Sequence, residues 1–500
     1  MTVARSRDAI VVGAGVNGLT AATYLAKAGK RVLVLEARSA IGGLCEPANF
    51  GEDFPLSQGA HALYALDPRV IRELRLARHG LKFVIRDMAL VGLRADGRHI
   101  VLSRDTHASV RNIALQSDAD AGSWLQFKRE WFTLGRKMRA LWWDSGTTVP
   151  ESLLRNEDIR RLAHMGTAAW LDSWFVSDAL KATLGFDAYA LSPLAAGSAL
   201  LLVWRAAQEM CGLQGAVALP AGGFRAVTNA LAGSATSAGV EIQTNASVAD
   251  ILIDANGAVR GVTLVSGEVI AAPLVLSSLS RRRTLSYPSA HAALGFAQAA
   301  ALRHVPPATA AARVTFTLDE RPQIGGIAVP ATARFILAER LEGLAAAHAA
   351  AYAGRLPQDL TMEVIMPTAA DPALAPAGHH VVSVLVAPLP VAVEGGWQNL
   401  KAMLAAKVVS ALGRHIAGLA RHLVAVEVLT PDDVRETFGA DDCVGGAVSA
   451  ERLLAEWRAR VRTPIPGLVL CGACADPVGA VSGRGGRVAA AFSIAEGARA

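Results

Sequence analysis

The sequence predicts an α/β protein organised around a βαβ nucleotide-binding unit, and three observations near its start predict this. Ala9–Val12 is an apolar run with the length and the Val/Ile content of a buried parallel strand. A G-x-G-x-x-G turn over Gly13–Gly18 follows at once, and an alanine-rich helical run then ends at Gly29. A second apolar strand, Val32–Leu35, closes the unit. This order is typical of a Rossmann-type dinucleotide fold.

Each residue type in this unit has a physical task. Gly13 permits the tight turn, Gly15 lets a pyrophosphate approach the backbone, and Gly18 lets the helix pack closely on the strand. The phosphates then meet the positive end of the helix. Glu36, at the end of the second strand, is placed to accept hydrogen bonds from ribose hydroxyls, and an acid there disfavours a 2′-phosphate. The residues alone therefore predict FAD or NAD rather than NADP.

Composition and charge limit the class of protein. The chain of 500 residues is long enough for two or three domains, and 52% hydrophobic against 18% charged residues predicts a globular protein. Its most apolar segments, such as 194–204, are shorter than the roughly 18–20 residues of a spanning helix. The net charge of +6 is scattered, which disfavours nucleic-acid binding and leaves a membrane surface or an acidic substrate as a weaker expectation.

The start of the chain and its cysteines bear on the compartment. The residues before Ala9 leave no room for the apolar core of a signal peptide. Five cysteines, an odd number in so long a chain, fit a reducing environment. We therefore expect a cytoplasmic protein. No residue pattern predicts a metal site.

The residues after the second strand carry a resemblance to a known family. Glu36 and Ala37 are followed after four residues by Gly42 and Gly43, and this E-A-x4-G-G pattern continues into Leu44. The pattern resembles the FAD-binding amine oxidase and phytoene desaturase superfamily. The resemblance implies FAD as the cofactor and a discontinuous, glutathione-reductase-like FAD-binding domain. It also implies a mixed α+β substrate domain with a helical insertion.

The resemblance and the changes of pattern divide the chain into five segments. Residues 1–104, 215–285 and 431–500 are expected to form the three parts of the FAD-binding domain. Residues 105–214 and 286–430 are expected to form the two parts of the substrate domain.

Later segments extend the resemblance. Phe54–His61 is similar to the stretch that precedes the flavin pocket, although Ser57 stands where many relatives carry Asp. The resemblance places His61 near the flavin ring as a candidate catalytic residue, and a hydrogen-bonded structural histidine is the alternative. It also implies that the backbone of Val248 contacts the adenine. The cofactor-binding residues that it implies, together with the fingerprint, are Gly13, Gly15, Val16, Asn17, Gly18, Glu36, Ala37, Gly42, Gly43, Leu44, Gly59, Ala60, Val248, Gly472, Val481, Ser482 and Gly483.

The C-terminal residues resemble the last FAD segment of the family. A short strand, Leu468–Leu470, precedes a glycine-rich loop and an alanine-rich helix. In the family the start of this helix faces the flavin, where its positive end would stabilise the anion of the reduced ring. Asp476 stands where many phytoene desaturase-like relatives carry His. Because of this difference, the exact substrates of those relatives are not carried over to this chain. Cys471 and Cys474 form C-x-x-C, and a redox dithiol is the less favoured interpretation.

One segment suggests a helix with two possible roles. Apolar residues from Trp124 to Leu141 recur every three or four positions, with basic residues on the other faces. We favour a substrate-domain helix packed on the core, and the alternative is an interfacial helix at a membrane surface that admits a lipophilic substrate.

The predicted activity is removal of hydride from a substrate C–H bond to flavin N5, with oxygen or a quinone as the final acceptor. No acid–base constellation stands out, so a dry, shaped cavity is expected to suffice. A desaturase or dehydrogenase of a lipophilic or small natural product is favoured over a flavin amine oxidase, and a redox isomerase or saturase remains open. Only one dinucleotide fingerprint is present, which disfavours a disulfide reductase. A non-enzymatic lipid-binding escort of the dissociation-inhibitor type is the alternative of another class. A homodimer is also considered.

Overall fold

The computed structural model describes most of the chain. The described residues are 5–46, 54, 57, 59–143, 156–303, 309–439, 453–454, 460–476, 478 and 480–497. Part of the predicted third FAD segment and positions 477 and 479 of the C-terminal loop therefore lie outside the described residues.

A five-stranded parallel sheet, here called the nucleotide sheet, contains the βαβ unit predicted from the sequence. Every neighbouring pair of its strands is parallel. In spatial order its strands are Glu241–Gln243, Val32–Leu35, Ala9–Val12, Val275–Ser277 and Leu468–Leu470. The two strands of the fingerprint unit are buried along their whole length, which explains their uninterrupted apolar sequence.

The turn after the first strand depends on glycine at two positions. Gly13 has a φ of +96°, and a Cβ there would lie 2.2 Å from Ser278 Oγ. A Cβ on Gly18 would lie 2.0 Å from the backbone oxygen of Gly13. The helix Val16–Lys27 therefore packs against the turn at a distance that only glycine allows.

A smaller four-stranded sheet takes three of its strands from the middle of the sequence. Its four strands in spatial order are Arg5–Ser6, Val269–Ala271, Val259–Leu264 and Val248–Ile253. The last three form antiparallel pairs. Val248 is the first residue of its strand, so this sheet positions the residue that was expected to contact the adenine.

A seven-stranded mixed sheet, here called the substrate sheet, forms the second body of the molecule. Its strands in spatial order are Leu423–Leu429, Thr309–Leu318, His380–Pro390, Met362–Ile365, Arg334–Leu337, Leu90–Gly92 and Ile100–Leu102. The two strands between 90 and 102 fall in the first predicted FAD segment but pair here, so that segment contributes to both large sheets. The five segment boundaries themselves stay a prediction.

Helices cover both sheets and form the insertion. The α-helices among the described residues are Val16–Lys27, Pro68–Glu73, Thr106–Ala114, Asp118–Trp143, Glu157–Ala163, Thr167–Asp172, Asp178–Gly185, Ala199–Ala207, Arg225–Ser237, Arg281–Leu285, Pro288–Ala292, Phe296–Arg303, Leu341–Tyr352, Trp397–Gly413, Pro431–Phe438 and Arg484–Gly497. Two small antiparallel sheets pair Phe83–Ile85 with Leu219–Pro220 and Glu209–Met210 with Leu213–Gln214, and the second of these is a hairpin. The fold is thus α/β, with a Rossmann-type FAD-binding body and a mixed α+β body that carries a helical insertion.

The longest helix, Asp118–Trp143, packs its apolar face inward. Trp124, Phe127 and Met138 are buried, and Trp131 Nε1 donates a hydrogen bond to the carbonyl of Leu202 at 2.7 Å. This contact supports the packed-helix interpretation of the apolar stripe. Among the described residues, no helix is both long and apolar enough to cross a bilayer.

Candidate active site

A large cleft lies at the carboxyl ends of the nucleotide-sheet strands, and we call it the cofactor cleft. Its volume is about 310 Å³. Open parallel sheets bind their ligands at this edge. The predicted residues that line it are Gly13, Gly15, Val16, Asn17, Glu36, Ala37, Gly42, Gly43, Leu44, Val248 and Val481. The fingerprint, the E-A-x4-G-G pattern and the middle segment therefore meet in one cleft.

The carboxylate of Glu36 is fixed by backbone amides. Its Oε2 accepts a hydrogen bond from the Ala14 amide at 2.8 Å, and its Oε1 accepts one from the Arg38 amide at 3.0 Å. Glu36 is buried yet borders the cleft. Because each carboxylate oxygen can accept more than one hydrogen bond, this group is held rigidly and retains capacity for two ribose hydroxyls.

The phosphate end of the cleft fits a dinucleotide. A Cβ on Gly15 would meet no atom within 4 Å, so the backbone is open on the cleft side. The helix that starts at Val16 has no side-chain cap, which leaves its first amides available to phosphate oxygens. Asn17 Oδ1 is buried without a hydrogen-bond partner among the described residues. An orphaned polar atom here is consistent with a ligand that completes the site.

Of the predicted cofactor residues 481–483 in the C-terminal loop, one lines the cofactor cleft and two pack inside the protein. Val481 lines the cofactor cleft, whereas Ser482 is fully buried and its Oγ donates a hydrogen bond to Asp476 Oδ2 at 3.0 Å. The Ser482 carbonyl accepts a hydrogen bond from the Asp67 amide at 2.9 Å. Gly483 packs against Val70, with a φ of +67°. Ser482 and Gly483 thus anchor the loop, and their roles as flavin donors stay predictions.

Two other predicted cofactor residues, Gly472 and Gly18, pack against neighbouring backbone and do not line the cofactor cleft. A Cβ on Gly472 would lie 2.2 Å from the carbonyl oxygen of Ser278, and it is the next residue, Ala473, that borders the cleft. Gly18 also packs inside the turn rather than facing the cleft. Gly59 and Ala60 instead line a neighbouring cavity.

This neighbouring space, here called the inner cavity, adjoins the cofactor cleft. Its volume is about 160 Å³, and Leu44, Ala480 and Val481 line both spaces. Its wall is apolar at the end nearer the cleft. A substrate in the inner cavity would therefore lie against the end of a dinucleotide that occupies the cleft.

Four charged residues with buried side chains that line the inner cavity, Asp187, Arg205, Arg334 and Glu363, form an ion cluster. Arg334 Nη2 donates to Asp187 Oδ1 at 2.6 Å, and Arg334 also pairs with Glu363. Arg205 Nε lies 3.5 Å from Asp187 Oδ2. All four side chains are less than a tenth exposed. Burial by itself raises the pKa of Glu363, but Arg334 and His61 together hold it well below its usual range.

The ion cluster corrects the sequence analysis, which found no acid–base constellation. Its members come from four separate elements and converge only in the folded chain. A local signal did exist, because Arg205, Arg334 and Glu363 each interrupt an otherwise apolar run. A charge inside such a run indicates a buried ion pair or a functional site.

His61 lies in the inner cavity and bridges to the substrate sheet. Its Nδ1 is 2.8 Å from Ser383 Oγ, and its Nε2 is 3.4 Å from Glu363 Oε1. Arg313 Nε donates to the same Ser383 oxygen at 3.1 Å. The serine hydrogen is then free to reach His61 Nδ1, which puts the imidazole hydrogen on Nε2, toward Glu363. Burial lowers the pKa of His61, so the ring is neutral near neutral pH.

A third space, here called the outer cavity, is also lined by members of the ion cluster. It has a volume of about 90 Å³ and shares Asp187, Arg205 and Arg334 with the inner cavity. Aromatic residues of the long helix and Lys128 line it. Lys128 Nζ donates to Thr106 Oγ1 at 3.0 Å.

The C-x-x-C pair is not set up for redox chemistry. Cys471 and Cys474 are both buried. Burial raises the pKa of the Cys471 thiol well above its usual range, which disfavours the reactive thiolate. Cys45 is likewise buried, and burial raises its pKa to about 12. Within the described part of the chain, no group of His, Cys, Asp and Glu is arranged to hold a metal ion.

The fold and the cofactor cleft together define a FAD-dependent flavoprotein of the oxidoreductase class. A family model described as flavin containing amine oxidoreductase matches residues 17–476. The chain therefore belongs to the flavin-containing amine oxidoreductase family, and its cofactor is FAD.

Individual relatives agree with this assignment. The chain is 29% identical over 536 residues to a Rattus norvegicus protein named pyridine nucleotide-disulfide oxidoreductase domain-containing protein 2, covering 97% of this chain and 92% of the relative. It is 24% identical to the neurosporene-forming phytoene desaturase of Cereibacter sphaeroides, covering 95% and 92%. A solved structure of wild-type putrescine oxidase bound to putrescine has a TM-score of 0.62 at 16% identity and 99% coverage of both chains, a likeness of fold alone.

Replacing Glu36 with alanine should weaken FAD binding by about tenfold to a hundredfold, because hydrogen bonds to a charged group contribute about 1.5–3 kcal/mol each. Reconstitution of the apoprotein with FAD, followed by quenching of flavin fluorescence, measures the affinity. Glu36→Gln, which keeps an acceptor for the Ala14 amide, should lose less FAD affinity than Glu36→Ala. The control is Glu342→Ala, at an exposed acid in the helix Leu341–Tyr352. Unchanged FAD affinity in Glu36→Ala would count against the ribose contact.

Proposed function

We propose that this protein is a FAD-dependent dehydrogenase or desaturase that oxidises a C–H bond of a small or lipophilic organic substrate in the inner cavity. The observation that carries the proposal is that the two spaces adjoin and share Leu44, Ala480 and Val481. A substrate in the inner cavity would thereby lie beside the cofactor that the cleft holds. Bound FAD would supply the two-electron acceptor for hydride from the substrate.

The chain's own residues would orient the substrate and fix the local charge. The apolar wall formed by Leu201, Leu385 and Val481 would hold the carbon skeleton. His61, neutral and with its hydrogen on Nε2, would present a donor at the cavity wall. Arg334 holds Glu363 and Asp187 as anions. His61 stays a predicted catalytic residue on this basis.

The overall reaction balances with an external oxidant. The substrate C–H bond breaks with transfer of hydride, and a proton leaves the neighbouring atom as a double bond forms. Oxygen or a quinone would then take up the two electrons. These acceptors, cytoplasmic localisation, contact with a membrane surface and a homodimer are further parts of the proposal that await tests.

A flavin amine oxidase is the second candidate. Tyr64 and Trp204 line the inner cavity and meet edge to face with centroids 6.0 Å apart, and they are the aromatic pair that would frame an amine. The putrescine oxidase likeness favours this alternative at the level of fold. Against it, both carboxylates of the inner cavity are already paired with Arg334, so a cationic amine would find no unused anion. The glycines and Glu36 at the cofactor cleft disfavour a non-enzymatic escort.

Anaerobic reduction of the FAD-loaded protein tests the proposed function. Candidate alcohols, carboxylic acids, carotenoid precursors and amines are mixed with the protein, and loss of the oxidised flavin absorbance is followed. We expect bleaching by a compound that is recovered two hydrogens lighter with a new double bond. Bleaching by amines alone, with an imine or carbonyl product, would transfer the assignment to the amine oxidase. A FAD-loaded protein that no compound reduces would overturn both candidates.

A further inference from the structure

Arg205 stands out in the ion cluster because its hydrogen-bonding capacity is largely unused. The side chain is 6% exposed, and its Nη2 donates to the Gly215 carbonyl at 3.1 Å. Its Nε and Nη1 are buried and have no hydrogen-bond partner among the described residues. A guanidinium has five N–H donors, so most of this buried cation's capacity is unfilled.

The cluster's carboxylates do not fill this deficit. Asp187 and Glu363 are both bound by Arg334, and the 3.5 Å separation between Arg205 Nε and Asp187 is an ion contact without hydrogen-bond geometry. Leaving a charged donor buried without an acceptor costs more than leaving a neutral one. An acceptor supplied by a ligand would remove that cost.

Arg205 lines both the inner cavity and the outer cavity, and the inner cavity is the one that adjoins the cofactor cleft. Its guanidinium carbon lies 5.1 Å from the centroid of the Tyr64 ring, and both residues line the cavity. The indole Nε1 of Trp204, a second donor of this wall, is also buried and has no acceptor in the described part of the chain. Two neighbouring residues of the inner-cavity wall, Trp204 and Arg205, therefore carry buried donors without an acceptor among the described residues.

We infer that the inner cavity binds an organic acid, with its carboxylate on Arg205 and its apolar body directed toward the cofactor cleft. This inference rests on the proposed function and names its substrate class. A carboxylate is planar and pairs with a guanidinium through two hydrogen bonds, which suits the two unused nitrogens. An amine would place a cation against Arg205, and a pure hydrocarbon would leave the donors unfilled.

Binding of matched eight-carbon ligands tests the inference without turnover. Octanoate, octan-1-ol, methyl octanoate and octylamine are titrated into the FAD-loaded protein by calorimetry. Octanoate should bind at least about tenfold more tightly than the alcohol or the amine, as expected for a charge-assisted pair. Equal binding of acid and alcohol would overturn the inference, and tighter binding of octylamine would favour the amine oxidase instead. Binding of the ester as tightly as the acid would assign the site to a carbonyl rather than a carboxylate and would also overturn it.

Variants identify the residue responsible. Arg205→Met should weaken octanoate binding by about tenfold or more and change octan-1-ol binding by less than about twofold, while Arg205→Lys should retain part of the acid preference. Lys128→Met removes a cation that lines only the outer cavity and should leave octanoate affinity unchanged. Circular dichroism and FAD content establish that each variant folds. If Arg205→Met does not fold, octanoate binding is measured on Arg205→Lys in its place. Wild-type acid affinity in a folded Arg205→Met protein, or loss of the acid preference in Lys128→Met, would overturn the assignment.

The outcomes separate this inference from the proposed function. Calorimetry reports binding whether or not the flavin is reduced. Tight octanoate binding that depends on Arg205, together with a flavin that no substrate reduces, would leave the acid site standing and remove the proposed reaction. Flavin reduction by substrates without an acid group, with no role for Arg205, would leave the proposed reaction standing and remove the acid site.

Discussion

Replacing Arg334 with methionine should destabilise the protein by about 3–5 kcal/mol, the cost expected when one partner of a buried ion pair is removed. The substitution would leave Asp187 and Glu363 buried without their shared cation. The measurement is the midpoint of urea unfolding of the FAD-loaded protein. A matched surface change, Arg98→Met, removes the exposed partner of Asp96 and should leave the midpoint nearly unchanged.

A charge-neutralised variant shows whether stranded carboxylates cause the loss. Adding Glu363→Gln to Arg334→Met should recover part of the stability, because Glu363 is then no longer a buried anion and Asp187 keeps its ion contact with Arg205. If the double variant is as unstable as Arg334→Met alone, lost packing rather than charge explains the effect.

Replacing Gly18 with alanine should reduce FAD retention by at least about tenfold. The new Cβ would start 2.0 Å from the Gly13 backbone oxygen, so either the helix or the turn must move, and overpacking of this kind costs about 1–3 kcal/mol. The distortion falls on the turn that meets the pyrophosphate. Flavin absorbance per protein after gel filtration measures retention.

Gly343→Ala is the matched control for this change. Gly343 lies in the exposed face of the helix Leu341–Tyr352, where a Cβ meets no atom within 4 Å. This variant should keep its FAD and should be slightly more stable, because alanine favours the helix. Full FAD retention in Gly18→Ala would show that the turn tolerates the displacement and would contradict the packing role of Gly18.

The cofactor cleft could be predicted because its determinants are local. The strand Ala9–Val12, the glycine turn, the helix and the strand Val32–Leu35 are consecutive, and each follows from short-range periodicity and turn chemistry. The strand at 468–470 was equally recognisable, since it is a short apolar run before glycine. The resemblance to the FAD-binding family was carried by residues that line one cleft.

The ion cluster could not be predicted in the same way. Asp187, Arg205, Arg334 and Glu363 lie on a 3-10 turn, a helix and two strands, and their meeting depends on how the insertion packs against the substrate sheet. Nothing in the local pattern says which arginine shares a carboxylate and which is left with free donors. Single charges inside apolar runs marked the residues, but long-range pairing decided their chemistry.

The strand order of the nucleotide sheet has a consequence for how the protein is made. Val275–Ser277 sits between the fingerprint strand and Leu468–Leu470, so the sheet joins residues from near both ends of the chain. A ribosome releases the βαβ unit well before the strand Leu468–Leu470. Pairings of such long sequence separation form slowly, since the intervening chain must first be ordered. The nascent chain must therefore keep its apolar sheet edge from aggregating until that strand emerges, and FAD present during synthesis would favour completion of the site.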